Sequence, residues 1–386
     1  MLDYKEFIDD QYESAIELWR HIVEIESGSA NVEGVANLAA HLDTYFNAMG
    51  LKTKKYTFPS AGPSLMAETK ERELKPVILM AHMDTVHKNG AFGGNNFVEK
   101  DGKLFGPGVY DCKGGIVTAV LVIKALLALG YKKRQIKLLL TGDEEVAHSL
   151  SQSESLVLYR ENVPGAACAF NCESGLANGD VVLQRKGGAM LQIKVHGIAS
   201  HAGLRPKEGA NAILAAAEMI TKIEALTDYP DGVYYNCGKI TGGGAVNIIP
   251  DYAEIGLALR FNTNAEFADA VAKLEKICAE QNDKRITAGL THQAVFKAME
   301  RTEKTDAFFA IFQEECAKLG FDKPQGLYVG GCSDAAYTTM EGVPTICGCG
   351  VRGGDNHTLK EWCIESSVLE SAKKIVATIL ALPDNF

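Results

Sequence analysis

An apolar run from Pro76 to Ala81 ends in His82, Met83 and Asp84. A run this short, bounded by loops, reads as a buried strand. Successive strand side chains alternate, so His82 and Asp84 leave on the same side where the strand runs out. In an open α/β sheet, ligands gather at the carboxyl ends of strands. Taken alone, the pair reads equally well as a surface histidine and aspartate in a loop. The rest of the chain repeats the arrangement. The strand Gln135–Thr141 ends at Asp143, Glu144 and Glu145, and the apolar segment Ala166–Asn171 ends at Cys172 and Glu173. The strand Pro344–Cys347 leads through a glycine-rich loop to His357. Asp111 sits in the tight loop Gly106–Gly115, between a hairpin at Glu99–Leu104 and a helix over Ile116–Gly130. If these strands are parallel, their acids and imidazoles converge at one sheet edge.

The chain has 386 residues, too many for one ordinary core, and two domains are expected. Helical spacing appears over Lys5–Glu26 and Val32–Gly50, followed by an edge-type strand at Leu51–Phe58. Strand and helix then alternate with short loops, which predicts an α/β class: a mixed sheet flanked by helices. Near Val182 the pattern changes. A strand at Ala189–Val195, a helix at Asn211–Leu226, strands at Val233–Ile240 and Ala253–Arg260 and a helix at Ala265–Gln281 read as an α+β sandwich. The first pattern resumes after Thr305. The chain therefore divides into one domain over residues 1–182 and 294–386 and an inserted domain over 183–293.

Net charge is −10, and no basic stripe interleaved with aromatics appears, so a nucleic-acid partner is not expected. No apolar run approaches the ~20 residues of a membrane span. The first ten residues are polar and acidic, unlike a signal peptide. The ten scattered cysteines read as reduced thiols, which predicts a cytoplasmic protein. Two imidazoles, His82 and His357, and three carboxylates with two more beside them, among Asp84, Asp111, Glu144, Glu145 and Glu173, suit two divalent ions with nitrogen and oxygen ligands. So many carboxylates in one cleft repel one another unless cations neutralise them.

His82-Met83-Asp84, Gly106-Pro107-Gly108 with Asp111 and Lys113-Gly114-Gly115, Asp143-Glu144-Glu145, Ser200-His201-Ala202-Gly203, Asn247-Ile248-Ile249-Pro250 and Ser333-Asp334-Ala335-Ala336 resemble, in that order, the M20 family of di-zinc peptidases and amidohydrolases. The nearest resemblance is to its glutamate carboxypeptidase branch. The resemblance implies a zinc-peptidase-type catalytic domain with an inserted dimerisation and lid domain, and a homodimer formed through that insert. It implies that Asp111 bridges two ions, with His82 and Glu173 completing one site and Glu145 and His357 the other. Zinc is the expected metal, with cobalt or manganese as alternatives. Glu144 would act as general base, Asp84 would orient the His82 ring, and His201 would stabilise the oxyanion from the opposite subunit. Asn247 and Arg260 would hold a substrate carboxylate. The implied reaction is release of a C-terminal amino acid from a small peptide or N-acyl amino acid. Aminoacylase, deacetylase or aminopeptidase activity, and a non-catalytic binding role, are the alternatives. Two stretches depart from the family pattern. Val146-Ala147-His148-Ser149-Leu150-Ser151 replaces a glycine- and serine-containing turn, and Val181 and Leu183 stand where the carboxypeptidase branch has polar substrate contacts. Arg352 reads as a solvent-exposed cation, or as a partner for a second substrate carboxylate.

Overall fold

The structure is a computed structural model that describes residues 2–386. It falls into two compact units. The first comprises the chain up to Gln184 together with Arg301–Tyr328 and Ser333–Phe386; the second comprises Arg185–Glu300 and Val329–Cys332.

The chain opens with α1 (Tyr4–Asp10) and α2 (Tyr12–Glu24), two helices meeting at Gln11 where a single one is expected. The division lets both Ile8 and Trp19 reach full burial. α3 (Val32–Ala48), β1 (Lys52–Tyr56), β2 (Ser64–Glu68) and β3 (Leu74–His82) follow. Next come the hairpin β4 (Val98–Lys100) and β5 (Lys103–Phe105), then α4 (Lys113–Ala128), β6 (Arg134–Thr141), α5 (Val157–Asn162), β7 (Cys168–Asn171) and β8 (Val181–Arg185). The second unit is built from β9 (Gly187–His196), β10 (Ser200–His201), α6 (Ala212–Glu224), β11 (Tyr234–Gly242), β12 (Ile248–Ile249), β13 (Tyr252–Phe261), α7 (Asn264–Ala279) and β14 (Thr287–Phe296). The chain ends with α8 (Glu303–Lys318), β15 (Gly326–Val329), α9 (Ala335–Met340), β16 (Thr345–Cys347), β17 (Gly353–Gly354), β18 (Trp362–Ile364) and α10 (Ser367–Ala381).

The main sheet has the order β1-β2-β6-β3-β7-β16-β8-β15. Its four central neighbours β6, β3, β7 and β16 are mutually parallel. Along β3, Val77, Leu79 and Ala81 pack into the cluster around α4, while Ile78 and Met80 join Leu139 and Tyr159 on the other face. Both faces are covered, which is why the strand reads as a continuous apolar run. α4 is buried on every side from Ile116 to Ile123, as its unbroken apolar sequence requires. A Cβ at Gly115 would fall 1.8 Å from the Cys172 carbonyl oxygen, so glycine alone lets α4 lie against the end of β7.

In the second unit, β11-β13-β9-β14 form an antiparallel sheet packed against α6 and α7. β13 alternates buried and less buried positions, the sign of a one-sided sheet. β14 is an edge strand whose middle, Thr291–Gln293, is polar and exposed and carries a register shift, so its apolar residues keep no single alternation. Among the described residues, no helix is long and apolar enough to cross a membrane.

The turn after β6 is held by a buried polar network. Ala147 and His148 both take left-handed backbone, at φ 54° and 55°, a conformation that costs side-chain-bearing residues energy. The His148 ring is fully buried, with Nε2 2.6 Å from Asp334 Oδ1 and Nδ1 3.2 Å from Asp143 Oδ1. The other Asp334 oxygen accepts from the Thr141 and Tyr159 hydroxyls, at 2.9 and 2.6 Å. Burial would depress the His148 pKa, but Asp334 and Asp143 outweigh it and push it up to about 10. Burial likewise raises both carboxyls, and the imidazolium more than reverses this. Removing one member of such a group strands the others, at a cost of about 3–5 kcal/mol. We expect His148→Gln to lose stability on that order in urea unfolding at pH 6.5. A folded-state pKa raised above the unfolded value stabilises fully below the unfolded pKa and fades as pH rises through the folded one. The deficit should therefore shrink between pH 6.5 and 10; a deficit constant across that range would show that His148 is buried uncharged.

Candidate metal centre

Because β6, β3, β7 and β16 are parallel neighbours, their carboxyl ends share one edge. β3 delivers His82 as its last residue. The turn after β6 delivers Glu144 and Glu145, the residue pair after β7 delivers Glu173, and the loop between β17 and β18 delivers His357. The turn entering α4 adds Asp111 from above. His82 Nε2 lies 3.1 Å from Asp111 Oδ1 and 3.8 Å from Glu173 Oε1. His357 Nε2 lies 3.4 Å from Asp111 Oδ2 and 3.1 Å from Glu145 Oε2. Asp111 thus faces one imidazole with each oxygen, and the five expected ligand residues are together in the first unit.

Asp84 is fully buried beside them. The nearest partner of His82 Nδ1 is the backbone carbonyl of Asp84 at 3.0 Å, with the carboxylate at 3.5 Å. The carboxylate itself accepts from the backbone N–H groups of Glu144 and Glu145, both at 3.1 Å, and from the Ser29 hydroxyl at 2.7 Å. Asp84 therefore orients the histidine through its main chain and the Glu144-Glu145 turn through its side chain.

The electrostatics follow from crowding. Burial raises the Glu144 pKa well above the usual carboxylate range, with Asp334, Glu173 and Glu145 adding to the shift. Burial likewise raises Glu145, to about 7, against the contrary pull of His357. Hydrogen bonds to Asp111 and Glu145 lift His357 to about 10. Asp111 runs the other way, since His357 and His82 outweigh its burial and hold it well below the ordinary value. Two imidazoles, even when charged, would not neutralise Asp111, Glu144, Glu145 and Glu173 with all four ionised. Glu145 Oε1 is buried and has no hydrogen-bond partner. A buried carboxylate oxygen without a donor is costly, and a cation would satisfy it. The donor set of imidazole and carboxylate suits Zn²⁺ and related divalent ions.

Sequence reasoning missed three residues here. The Cys112 thiol joins His82 and Glu173 in a cluster whose potential ligand atoms lie within 4.8 Å of one another. Asn356 Nδ2 donates to Asp111 Oδ2 at 2.9 Å. Glu361 accepts from the Asp111 backbone N–H. Cys112 and Asn356 adjoin named ligands in sequence, a cue that adjacency alone could have supplied; Glu361 sits in a Lys-Glu-Trp stretch that reads as surface. Beside Glu145 opens a cavity of about 580 Å³, lined by Ser29, Asn31, Thr85, His87, Glu145 and Val146 among others.

His201, Asn247 and Arg260 lie in the second unit. His201 pairs with Ile248 in the β10–β12 ladder, and Ala202 N–H donates to the Asn247 carbonyl at 2.9 Å, so the two turns carrying His201 and Asn247 are joined. Arg260, next to last in β13, lies over Gly188 and has no ion-pair partner among the described residues. Arg352 is neither a free surface cation nor one open to a substrate: its guanidinium pairs with Glu370 at 2.7 Å and donates to the Ala177 carbonyl. Val181 and Leu183 are buried in β8 as core residues, so they contribute no polar contact. All ten cysteines are free thiols.

The sequence profile of Peptidase family M20/M25/M40 matches residues 78–381. Carboxypeptidase G2 from Pseudomonas sp. (strain RS-16) is 27% identical over 380 residues, covering 96% of this chain and 89% of that protein. Among solved structures, the aminopeptidase PepT from Bacillus cereus superposes with a TM-score of 0.76 at 22% identity, over 95% of this chain and 98% of that one. The M20 family metallo-carboxypeptidase Sso-CP2 from Sulfolobus solfataricus gives a TM-score of 0.70 at 16% identity, over 95% and 98%. The ligand-type cluster at the sheet edge and the match across most of the chain lead to one assignment: this chain belongs to peptidase family M20/M25/M40 and is a metallopeptidase of that family.

Proposed function

We propose that the chain is a di-zinc carboxypeptidase-type hydrolase that releases a C-terminal amino acid from a small peptide or an N-acyl amino acid. The observation that carries this reading is Asp111 placed between His82 and His357, with Glu145 and Glu173 beside them and a buried Glu145 oxygen left without a donor. His82 and Glu173 would hold one ion, Glu145 and His357 the other, and Asp111 both. Bound divalent ions lower the pKa of a shared water and polarise an amide carbonyl. Glu144, buried and with a raised pKa, would take the proton of the attacking water and return it to the leaving amine. Arg260, with no ion-pair partner of its own, would grip the substrate carboxylate together with Asn247, since a guanidinium suits bidentate recognition. The cavity lined by Thr85 and Val146 would receive the acyl part of the substrate.

The second unit would form the homodimer. Its exposed apolar side chains Ile213, Leu214, Ile240, Val246 and Ile248 support this, being more than scattered surface residues need. His201 lies near this group along the chain and would reach the opposite subunit's site to stabilise the oxyanion.

Three measurements test the reading. Gently purified protein should carry two zinc-like ions per chain, and Glu144→Ala should abolish turnover while keeping them; loss of metal in that variant would mean that Glu144 is a ligand. N-acyl amino acids with a free carboxylate should be hydrolysed, and their C-terminal amides at least ~10²-fold more slowly, since a site built for a charged group rejects analogues lacking it. The likeness to an aminopeptidase keeps that activity as a second reading, and faster cleavage of peptides with a free N-terminus and blocked C-terminus would favour it. His201→Ala should cut turnover and keep metal. Mixing it with Glu144→Ala under subunit exchange should restore roughly a quarter of wild-type activity, because one site of each mixed dimer is then complete. No recovery would exclude action between subunits.

A further inference from the structure

We propose that Glu361 is a positioning residue for the metal centre. Its buried carboxylate, paired with His87, fixes the Gly108–Asp111 turn so that the Asp111 carboxylate faces both ligand imidazoles.

Glu361 is 1% exposed. Its Oε1 accepts the backbone N–H groups of Tyr110 and Asp111, each at 3.0 Å. Its Oε2 accepts the backbone N–H of Gly108 at 3.2 Å and lies 2.9 Å from His87 Nε2. Four contacts saturate a carboxylate. Glu361 has no oxygen left for an ion or a substrate, and its influence on the site passes through Asp111. An apolar side chain here would orphan three buried N–H groups, so the turn depends on an acceptor at this point.

The placement of Glu361 is built into the fold. It immediately precedes β18, which pairs with β5, and β5 is the strand that leads into the turn; Trp362 stands opposite Phe105. Four residues earlier the same loop supplies His357, and Asn356 donates to Asp111 Oδ2. The 356–361 loop therefore holds Asp111 at both ends, its carboxylate through Asn356 and His357 and its amide through Glu361. His87 ties the arrangement to the lining of the cavity beside Glu145. Partners that orient ligand residues commonly matter for metal affinity almost as much as the ligands do.

This inference rests on the two-ion reading above. The test is zinc affinity, measured without substrate on the full chain by competition with a chromophoric chelator. Glu361→Gln keeps the size of the side chain but turns one acceptor oxygen into a donor facing a donor. We expect zinc affinity to fall about 10–100-fold while the far-ultraviolet circular dichroism stays that of the parent. His87→Gln leaves the three N–H contacts in place and should give a smaller loss. A role confined to stability would lower the unfolding temperature of the zinc-free chain and leave the affinity of the folded protein unchanged. Parental affinity in both variants overturns the proposal. If Glu361→Gln does not fold, parental affinity in His87→Gln overturns it by itself. A parent that takes up no zinc refutes the two-ion reading and this inference together, whereas a zinc-binding parent with zinc-binding variants refutes only the positioning role.

Discussion

Asp111, Glu144, Glu145 and Glu173 crowd one buried edge of the sheet, and the rest of the site answers to that charge. Anions out of water and close together raise one another's energy steeply. The chain meets this in two ways. His82 and His357 approach Asp111 from opposite sides. Backbone N–H groups are turned toward acidic side chains. Burial, with the neighbouring carboxylates adding to it, leaves Glu144 and Glu145 with raised pKa values. A sheet edge of this kind is poorly suited to any occupant but a cation.

Around the edge, three further buried acids share one task. Asp84 receives the N–H groups of the Glu144-Glu145 turn, Asp334 grips the far side of that turn through His148, and Glu361 receives the N–H groups of the Asp111 turn. Each sits away from the proposed ions and immobilises a loop that carries a ligand. Side chains locked by such outer contacts give a site its geometric precision. In the second unit, His201 and Arg260 are exposed, which fits groups whose work would begin only when a substrate or another subunit arrives.

Much of this was legible in the sequence because it is local or periodic. The strand ending at His82 announces itself by composition, and Asp111, Glu145 and Glu173 stand at element boundaries that apolar runs mark out. What stayed hidden depends on distant pairing. Glu361 looks like surface until β18 pairs with β5. The turn containing His148 departs from the family pattern, and its compensation comes from Asp334, 186 residues away. Arg352 has its partner on α10, which no local pattern announces. The apolar rhythm of β14 is interrupted by its polar middle and register shift, so it is hard to read.

The order of the ligands along the chain has a consequence for biogenesis. His82, Asp111, Glu145 and Glu173 all precede the second unit, while His357 and Glu361 follow it. A ribosome releases the first four long before the last two exist, and folding of nascent chains proceeds from the N-terminus. During that interval the early residues lack β16, the neighbour of β7, and the loop that holds Asp111. Under the two-ion reading, stable loading with metal would wait for the end of synthesis, and a prematurely terminated chain would be released without a working centre.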